Sequence, residues 1–448
     1  WNAVVQPGDR VYCLGDMAIP RRGLQVVDRL NGRKILIKGN HDCVDTETEA
    51  LTRSGWKRWS EISTEDKVWS LRKDGVGQWG GVDEVIVRLH TGEMIKWKHS
   101  RVDMLMTPGH RVMSRGGSQY FQASELLGQD EHVAHDIPVT ASSGFDDLTE
   151  WDGLTISDSL LRLVGWILTD GGMTWKGNHC AIKIYQSKTE SFSGIIADLQ
   201  DFGCEYSTRT RPPKRAGAIV CGKALKRDSL PAQEIRLLGP KAQQVARLIG
   251  AKSVLPDFCQ SLSDRQALVL VRALMAGDGA WGRTQDAGGL HGKKPFLESV
   301  MIFCVTHNIG ASLYDVKGRD SWVLNVNLTP SKRKLRTRSL RGKPYVSRHS
   351  YSGIVWCVST PLTNFFVRRG GRTYFTGNCY QLRDYGRRFE DIRAYWKIDN
   401  FFLSHVPIHP NSIWRFDGNI HGHLHYESTL REDGTVDPRY LCVCVEHT

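Results

Sequence analysis

A run rich in metal-ligating side chains, Gly39-Asn40-His41-Asp42, stops at Cys43, and its natural continuation resumes only at Cys379, behind Thr376-Gly377-Asn378. The 336 residues between, 43–378, differ in chemical character from both flanks. This arrangement constrains the chain more than any bulk property. Thiols and a carboxamide at backbone junctions are groups that can reroute a peptide bond without a second enzyme. Deleting 43–378 leaves a 112-residue outer protein in which Asp42 meets Cys379-Tyr380-Gln381-Leu382-Arg383. The insert is expected to remove itself and join its flanks.

A chain of 448 residues can hold two to four domains, each with its own core. It is 40% apolar and 24% charged, without an apolar run long enough to span a bilayer, so no membrane partner is expected. It starts at Trp1, not Met, and reads as a fragment. The cysteines number eleven, an odd count at irregular spacings without a CxxC pair, which argues against a disulfide framework. Free thiols fit a reducing, cytoplasmic compartment in a bacterial, archaeal or phage-encoded setting. Cys180, Cys204, Cys221, Cys259 and Cys304 are expected to pack as small apolar residues.

Charge is unevenly placed. Residues 151–350 carry 30 Lys+Arg against 16 Asp+Glu, a balance of +14 in a chain whose net charge is +12. The remainder is therefore slightly acidic, at −2. A basic middle on a near-neutral frame points to a polyanion as partner of that segment alone.

The flanks read as α/β. Arg10–Leu14 is a short apolar strand before Gly15-Asp16, 22–30 has helical spacing, and 34–37 is a buried strand before Gly39. Beyond the insert, Phe401-Phe402-Leu403 leads to His405, and Ile420 to His421-Gly422-His423-Leu424-His425. Asp, Asn and His at strand ends suit a dinuclear site for phosphate-ester hydrolysis, where cations activate water and neutralise phosphate charge. In this order the motifs resemble the calcineurin-like metallophosphoesterases across nearly all of the flanks. The resemblance implies Asp16 bridging two divalent transition metals such as Mn, Fe, Zn or Ni. Asn40, His405 and His423 would bind one metal, His425 the other, and His41 would assist the leaving group. The family's first motif, Asp-x-His, is absent and is expected upstream of Trp1.

The ends of the insert carry a second set of motifs. Thr107-Pro108-Gly109-His110 follows its start; Val355-Trp356-Cys357-Val358, Asn364-Phe365-Phe366 and Asn378-Cys379 close it. Polar-apolar alternation in 83–89 and 91–98 indicates strands. Together these residues resemble an intein with the Hint fold, an all-β horseshoe. The resemblance implies that Cys43 attacks the Asp42 carbonyl, that Thr107 and His110 distort and protonate the scissile amide, and that Cys379 captures the acyl group. Asn378 would cyclise and release the insert. Cys357 stands where many inteins carry Asp, and Gly377 where most carry His before the terminal Asn.

Two segments within the insert look alike. The apolar run 161–168 leads to Thr169-Asp170-Gly171-Gly172, and 268–275 to Ala276-Gly277-Asp278-Gly279. Small residues (Gly165; Ala273 and Ala276) let two helices approach closely, which sets the carboxylates side by side. Paired carboxylates suit divalent cations held against scissile phosphates. The pattern resembles a single-chain LAGLIDADG homing endonuclease. It implies Mg2+ or a similar divalent cation at Asp170 and Asp278, Lys252 ahead of Leu255-Pro256 as the intervening lysine, and double-stranded DNA of the uninterrupted allele as partner. Strands near 181–185 and at Trp322–Asn327 would form a saddle in the major groove. Basic runs at 209–211 and 332–336 would hold phosphates.

The expected fold is thus multidomain: a split α/β, β-sandwich-type phosphoesterase in 1–42 and 379–448, an all-β Hint splicing domain in 43–150 and 346–378, and an α+β endonuclease domain in 151–345. Two alternatives stay open. The insert could be a splicing-deficient DNA-binding or endonuclease element in a non-functional phosphoesterase, or a permanent lid of one metallohydrolase.

Overall fold

The computed structural model describes residues 1–15, 25–37, 43–114, 117–129, 134–220, 223–224, 228, 231–316, 321–329, 332–339, 342–378, 388–393, 395–422, 424, 428–431 and 433–444. Asp16, Asn40, His41, Asp42, Cys379, His423 and His425 lie outside the described residues.

The two flanks share one sheet. Strands Arg10–Leu14, Arg33–Ile37 and Asp391–Arg393 are parallel neighbours, with Leu14 opposite Ile37 and Ile35 opposite Asp391. Ile35, Leu36 and Ile37 are all buried, as expected for a strand covered on both faces. Arg33 Nε donates to Glu390 Oε2 at 2.9 Å across the same seam. Residues on opposite sides of the 336-residue insert therefore build one secondary-structure unit. A second flank sheet holds Trp396–Ile398, Phe401–Ser404, Gly418–His421 and Tyr440–Cys442, the last three parallel.

Within the insert, the stretches 83–89 and 91–98 form a single strand, Glu84–His99. Its partner Val346–Ser359 pairs with it from Glu84 to Trp97, which keeps the backbone extended where local alternation breaks. These two strands close a barrel with Val44–Asp45 and Val102–Met106. Met94, Trp97, Trp356 and Phe365 fill its core, each contributing roughly 1.5–3 kcal/mol by removal from water.

Arg369, only 7% exposed, ties the barrel together electrostatically. Its Nε and Nη2 donate to the Asp45 carboxylate at 2.9–3.1 Å, its Nη1 to Asp103 at 2.5 Å and its Nη2 to Glu47 at 2.9 Å. Asp45 follows Cys43, and Asp103 lies on the strand leading into Thr107. One cation thus holds the two segments that carry the start of the insert.

The inner region, behind the barrel, repeats one plan twice. Helix Asp158–Leu168 precedes strands Gly171–Lys176, His179–Gln186, Glu205–Arg211 and Ala232–Leu238; helix Asp264–Asp278 precedes Gly279–Trp281, Ala287–Gly292, Gly310–Asp315 and Trp322–Asn327. In both sheets the spatial order is first, second, fourth, third. The second sheet continues into the outer part of the insert, because Gly310–Asp315 pairs with Arg372–Gly377 at Ser312 and Arg372. Leu313 N donates to Gly371 O at 2.9 Å, and a Cβ at Gly371, whose φ is +74°, would sit 1.8 Å from Leu313 O. Glycine alone fits there. The apolar core is continuous as well, running from Leu160 and Leu270 to Trp69, Phe366 and Phe375.

The basic run 209–211 ends the exposed strand Glu205–Arg211. The other basic run forms strand Lys332–Arg336, which pairs with Ala134–Pro138 beside the barrel, apart from both repeated sheets. Its backbone pairing is taken by that strand and by neither repeated sheet.

Replacing Arg369 by Ala takes the cation from buried Asp45 and leaves Asp103 with Lys98 alone, which costs about 3–5 kcal/mol. Urea titration of the full chain, followed by tryptophan fluorescence, is expected to show an early transition in the Arg369→Ala variant; an unchanged midpoint contradicts the role given to this ion cluster.

Candidate functional site

The turn Thr107-Pro108-Gly109-His110 links strand Val102–Met106 to strand Arg111–Ser114, closed by His110 N donating to Thr107 O at 3.0 Å. Pairing of Val44 with Met106 sets Cys43 beside Thr107. The Thr107 hydroxyl accepts from Cys43 N at 3.0 Å and donates to Cys43 O at 3.3 Å, while Thr107 N donates to the same carbonyl at 3.0 Å. Cys43 N is the nitrogen of the Asp42-Cys43 peptide bond, so the threonine grips the bond's leaving side.

On the other side of the turn, Val112 pairs with Thr376. That register brings the end of strand Arg372–Gly377 against His110 and Arg111. His110 Nε2 lies 2.5 Å from Thr376 Oγ1, with donor and acceptor set by the tautomer. Arg111 Nη1 donates to Asn378 O at 3.1 Å. The Asn378 carboxamide nitrogen donates to Thr360 O at 3.3 Å and Thr360 Oγ1 at 3.1 Å. Cys43, Thr107, His110 and Asn378 are all buried, none above 5% exposure. Cys357 is buried one residue past the Trp356–Val44 pair, and the same register carried one step further sets it opposite Cys43.

Sequence reasoning assigned no role to Arg111, Thr360 or Thr376. Arg111 directly follows the Thr-x-x-His motif and Thr376 precedes Gly377-Asn378, so position was an available signal for those two. Thr360 had none; a strand end far along the chain delivers it.

The paired helices meet at their small residues. A Cβ at Gly165 would lie 2.5 Å from the Ala273 Cβ, and one at Gly277 2.1 Å from the Thr169 hydroxyl oxygen. Asp278 ends its helix; Asp170 sits just past the Thr169 cap of the other. The glycine after each aspartate is required for the same reason in both repeats. An added Cβ at Gly171 would reach within 2.4 Å of Ile167 O, and at Gly279 within 2.5 Å of Met275 O.

Burial pushes Asp170 above the ordinary carboxylate range, and the Asp278 charge adds to the rise; burial likewise raises Asp278. Gln186 Nε2 donates to Asp170 Oδ2 at 3.1 Å. Lys252 Nζ donates to Gly171 O, and burial holds its ammonium below the usual lysine value while both aspartates oppose that shift. Two half-buried carboxylates that disfavour each other's charge are a fitting seat for a divalent cation. Among the described residues, no group of three or more His, Cys, Asp or Glu side chains gathers as a metal site.

In the flanks, the ends of three strands converge. His405 Nδ1 lies 3.0 Å from Leu14 O, and a Cβ at Gly15 would overlap its ring at 1.9 Å. A Cβ at Gly422 would lie 2.6 Å from Leu14 O and 3.6 Å from His405 Nδ1. The glycines that precede Asp16 and His423 therefore abut His405. An imidazole held at Nδ1 by a backbone carbonyl presents Nε2 in the manner of a metal ligand.

No family model matches the chain. An uncharacterized protein of Methanocaldococcus jannaschii is 32% identical over 79 residues, 17% of this chain and 44% of that relative, so the match spans less than half the relative's length. Solved structures similar to part of the chain include mesophilic variants of the homing endonuclease I-DmoI (17% identity, TM-score 0.27, covering 38% of this chain and 89% of that one). I-DmoI in complex with DNA and Mn is similar at 17% identity and a TM-score of 0.26, over 38% of this chain and 90% of that one. The N-terminal LAGLIDADG domain of DUF199/WhiA is similar at 10% identity and a TM-score of 0.25, over 38% of this chain and 74% of that one.

Raised folded-state values at Asp170 and Asp278 stabilise the protonated pair. That stability is present at low pH and is lost as pH rises through the folded-state values. In cation-free buffer, Asp170→Asn is therefore expected to raise the thermal midpoint near neutral pH, with the gain vanishing below about pH 4, where an ordinary aspartate is protonated. Magnesium is expected to raise the wild-type midpoint more than that of the variant. Calorimetry checks both; a midpoint difference independent of pH and magnesium contradicts the reading.

Proposed function

We propose that the chain is a self-splicing precursor that excises 43–378, joins Asp42 to Cys379, and carries a site-specific DNA endonuclease within an interrupted metallophosphoesterase. One observation carries the proposal: the turn 107–110 and the strand it leads into hold both ends of the insert, through Thr107 on Cys43 and Arg111 on Asn378.

In this reading the Cys43 thiolate attacks the Asp42 carbonyl, and the amide becomes a thioester. Thr107, bonded to the departing nitrogen, weakens the amide, and His110 on the same turn supplies its proton. The Cys379 thiol takes the acyl group from Cys43 by transthioesterification. Cyclisation of Asn378 breaks its bond to Cys379, and the freed amine of Cys379 attacks its own thioester, leaving a peptide bond. Cys357, buried one residue beyond the Trp356–Val44 pair, would shield or relay protons for the thiol.

The inner repeats would lay their sheets on double-stranded DNA, with Arg209 and Arg211 against phosphates. Asp170 and Asp278 would hold Mg2+ or a similar divalent cation, which supplies Lewis-acid activation of water at the scissile phosphate. Lys252, hydrogen-bonded beside the pair, orients the loop after Asp170 and carries positive charge toward the scissile phosphate. In the spliced host, Asp16, Asn40, His405, His423 and His425 would hold two transition metals, with His41 near the leaving group. The metals would supply a nucleophilic water for phosphoester hydrolysis. A reducing, cytoplasmic setting would keep the Cys43 and Cys379 thiols available for this chemistry. Gly377, lacking the side chain most inteins place there, favours a second reading in which the insert binds DNA without splicing.

Mass spectrometry of the expressed chain separates the two. Splicing yields a 112-residue ligated protein and a 336-residue insert, while Cys43→Ala abolishes both products. Persistence of the full-length chain alone, under reducing conditions and at several temperatures, favours the second reading. For the endonuclease, a splicing-blocked chain is expected to cut DNA of the uninterrupted gene at the Asp42/Cys379 junction. Asp170→Asn or Asp278→Asn is expected to abolish cutting while leaving DNA affinity intact. Equal cutting by either variant removes the carboxylate assignment.

A further inference from the structure

We infer that Arg111 is a catalytic residue for the last cleavage, donating to the carbonyl oxygen of Asn378 as negative charge develops there. This rests on the splicing reading and adds a group that the resemblance does not supply. Arg111 Nη1 lies 3.1 Å from Asn378 O, the oxygen of the Asn378-Cys379 peptide bond. The arginine is 4% exposed, and its guanidinium lies 4.2 Å from the centre of the Tyr120 ring, which fixes its direction. A guanidinium stays charged in proteins and acts strongly on a developing oxyanion in a water-poor site.

Gly377 belongs to the same device. A Cβ at 377 would lie 2.7 Å from both the Cβ and the carbonyl oxygen of Arg111, and 3.2 Å from Tyr120 Cε1. No side chain stands at 377 while the Arg111 strand lies this close. The glycine that departs from the usual histidine therefore admits another cation to the scissile carbonyl.

The nucleophile is held on the opposite side. Thr360 Oγ1 donates to Asn364 O at 3.0 Å, so it accepts the hydrogen bond from Asn378 Nδ2. Asn378 N donates to Thr363 O at 3.2 Å, which pins the backbone between carboxamide and carbonyl. Asn378 Nδ2 attacks its own main-chain carbonyl carbon, and the oxygen carries negative charge against Arg111. Collapse breaks the bond to Cys379 N. The proton lost from Nδ2 balances the one gained by the amine, leaving a terminal succinimide on the insert and a free amine on Cys379.

The test isolates this step in the full chain carrying Cys43→Ala, where Asn378 cyclisation alone releases the 70-residue segment 379–448. Arg111→Met keeps length and packing but removes the charge. It is expected to slow release about 10²–10³-fold, the usual loss for one oxyanion donor. Arg111→Lys is expected to recover part of that rate, and Gly377→His to slow release, since it displaces Arg111. In chains with Cys43 intact, thiol-induced cleavage before Cys43 is expected to proceed normally in Arg111→Met. Release at the parent rate in Arg111→Met overturns the inference. So does equal loss of both cleavages, which gives Arg111 a general structural role. Absence of both cleavages from the wild-type chain instead overturns the splicing reading itself.

Discussion

Everything in the insert depends on one buried turn and the strand it leads into, which are hydrogen-bonded to both of its ends. Residues 107–110 sit between strand Val102–Met106, paired with Val44, and strand Arg111–Ser114, paired with Thr376. Either pairing alone would bury one end of a long insert beside a histidine. Together they bring two backbone sites, 335 positions apart in sequence, into contact with adjacent residues. Arg369 secures the first of these pairings by neutralising Asp45 and Asp103 inside the barrel. A buried ion cluster of this kind adds little net stability over apolar packing, but it penalises every arrangement that separates its members. Register at Cys43 is what it protects.

The inner repeats are not a detachable bead on this scaffold. Strand Arg372–Gly377, whose far end delivers Asn378, pairs at its near end with Gly310–Asp315 of the second repeat. Gly371 allows that approach, and the apolar core passes through without a break. The strand that leads to Asn378 and the sheet of the second repeat are thus parts of one twelve-stranded sheet. The flanks form a separate seam, where Arg33–Ile37 and Asp391–Arg393 pair side by side.

Much of this was legible in the chain. Apolar runs ending in Asp-Gly marked both inner helices, because small residues and a glycine at fixed offsets are a local signature of close helix approach. Arg10–Leu14 and Trp322–Asn327 were readable as strands from short-range pattern, and both are strands in the structure. Pattern was silent on long-range pairing. Residues 84–99 form one strand because Val346–Ser359 pairs with 84–97 without a break, a partner more than 240 positions away. Lys332–Arg336 read as a basic run, and the structure adds that its backbone pairs with Ala134–Pro138 and not with either repeated sheet. Charge composition carries no information about which ladder a strand will join.

Sequence alone determined the chemical vocabulary: the thiol at 43, the carboxamide at 378, the Thr-x-x-His run, two Asp-Gly helix ends, and His405 after an apolar strand. Those are properties of residue types and short spacings, which local sterics and reactivity dictate. Tertiary structure decided which groups act on which bond. Arg111 reaches the Asn378 carbonyl, Thr360 holds the Asn378 carboxamide, and Gly377 is glycine because Arg111 occupies the space beside it. None of these contacts follows from spacing, because each is made across long-range strand pairings whose register is set by the packing of the whole fold.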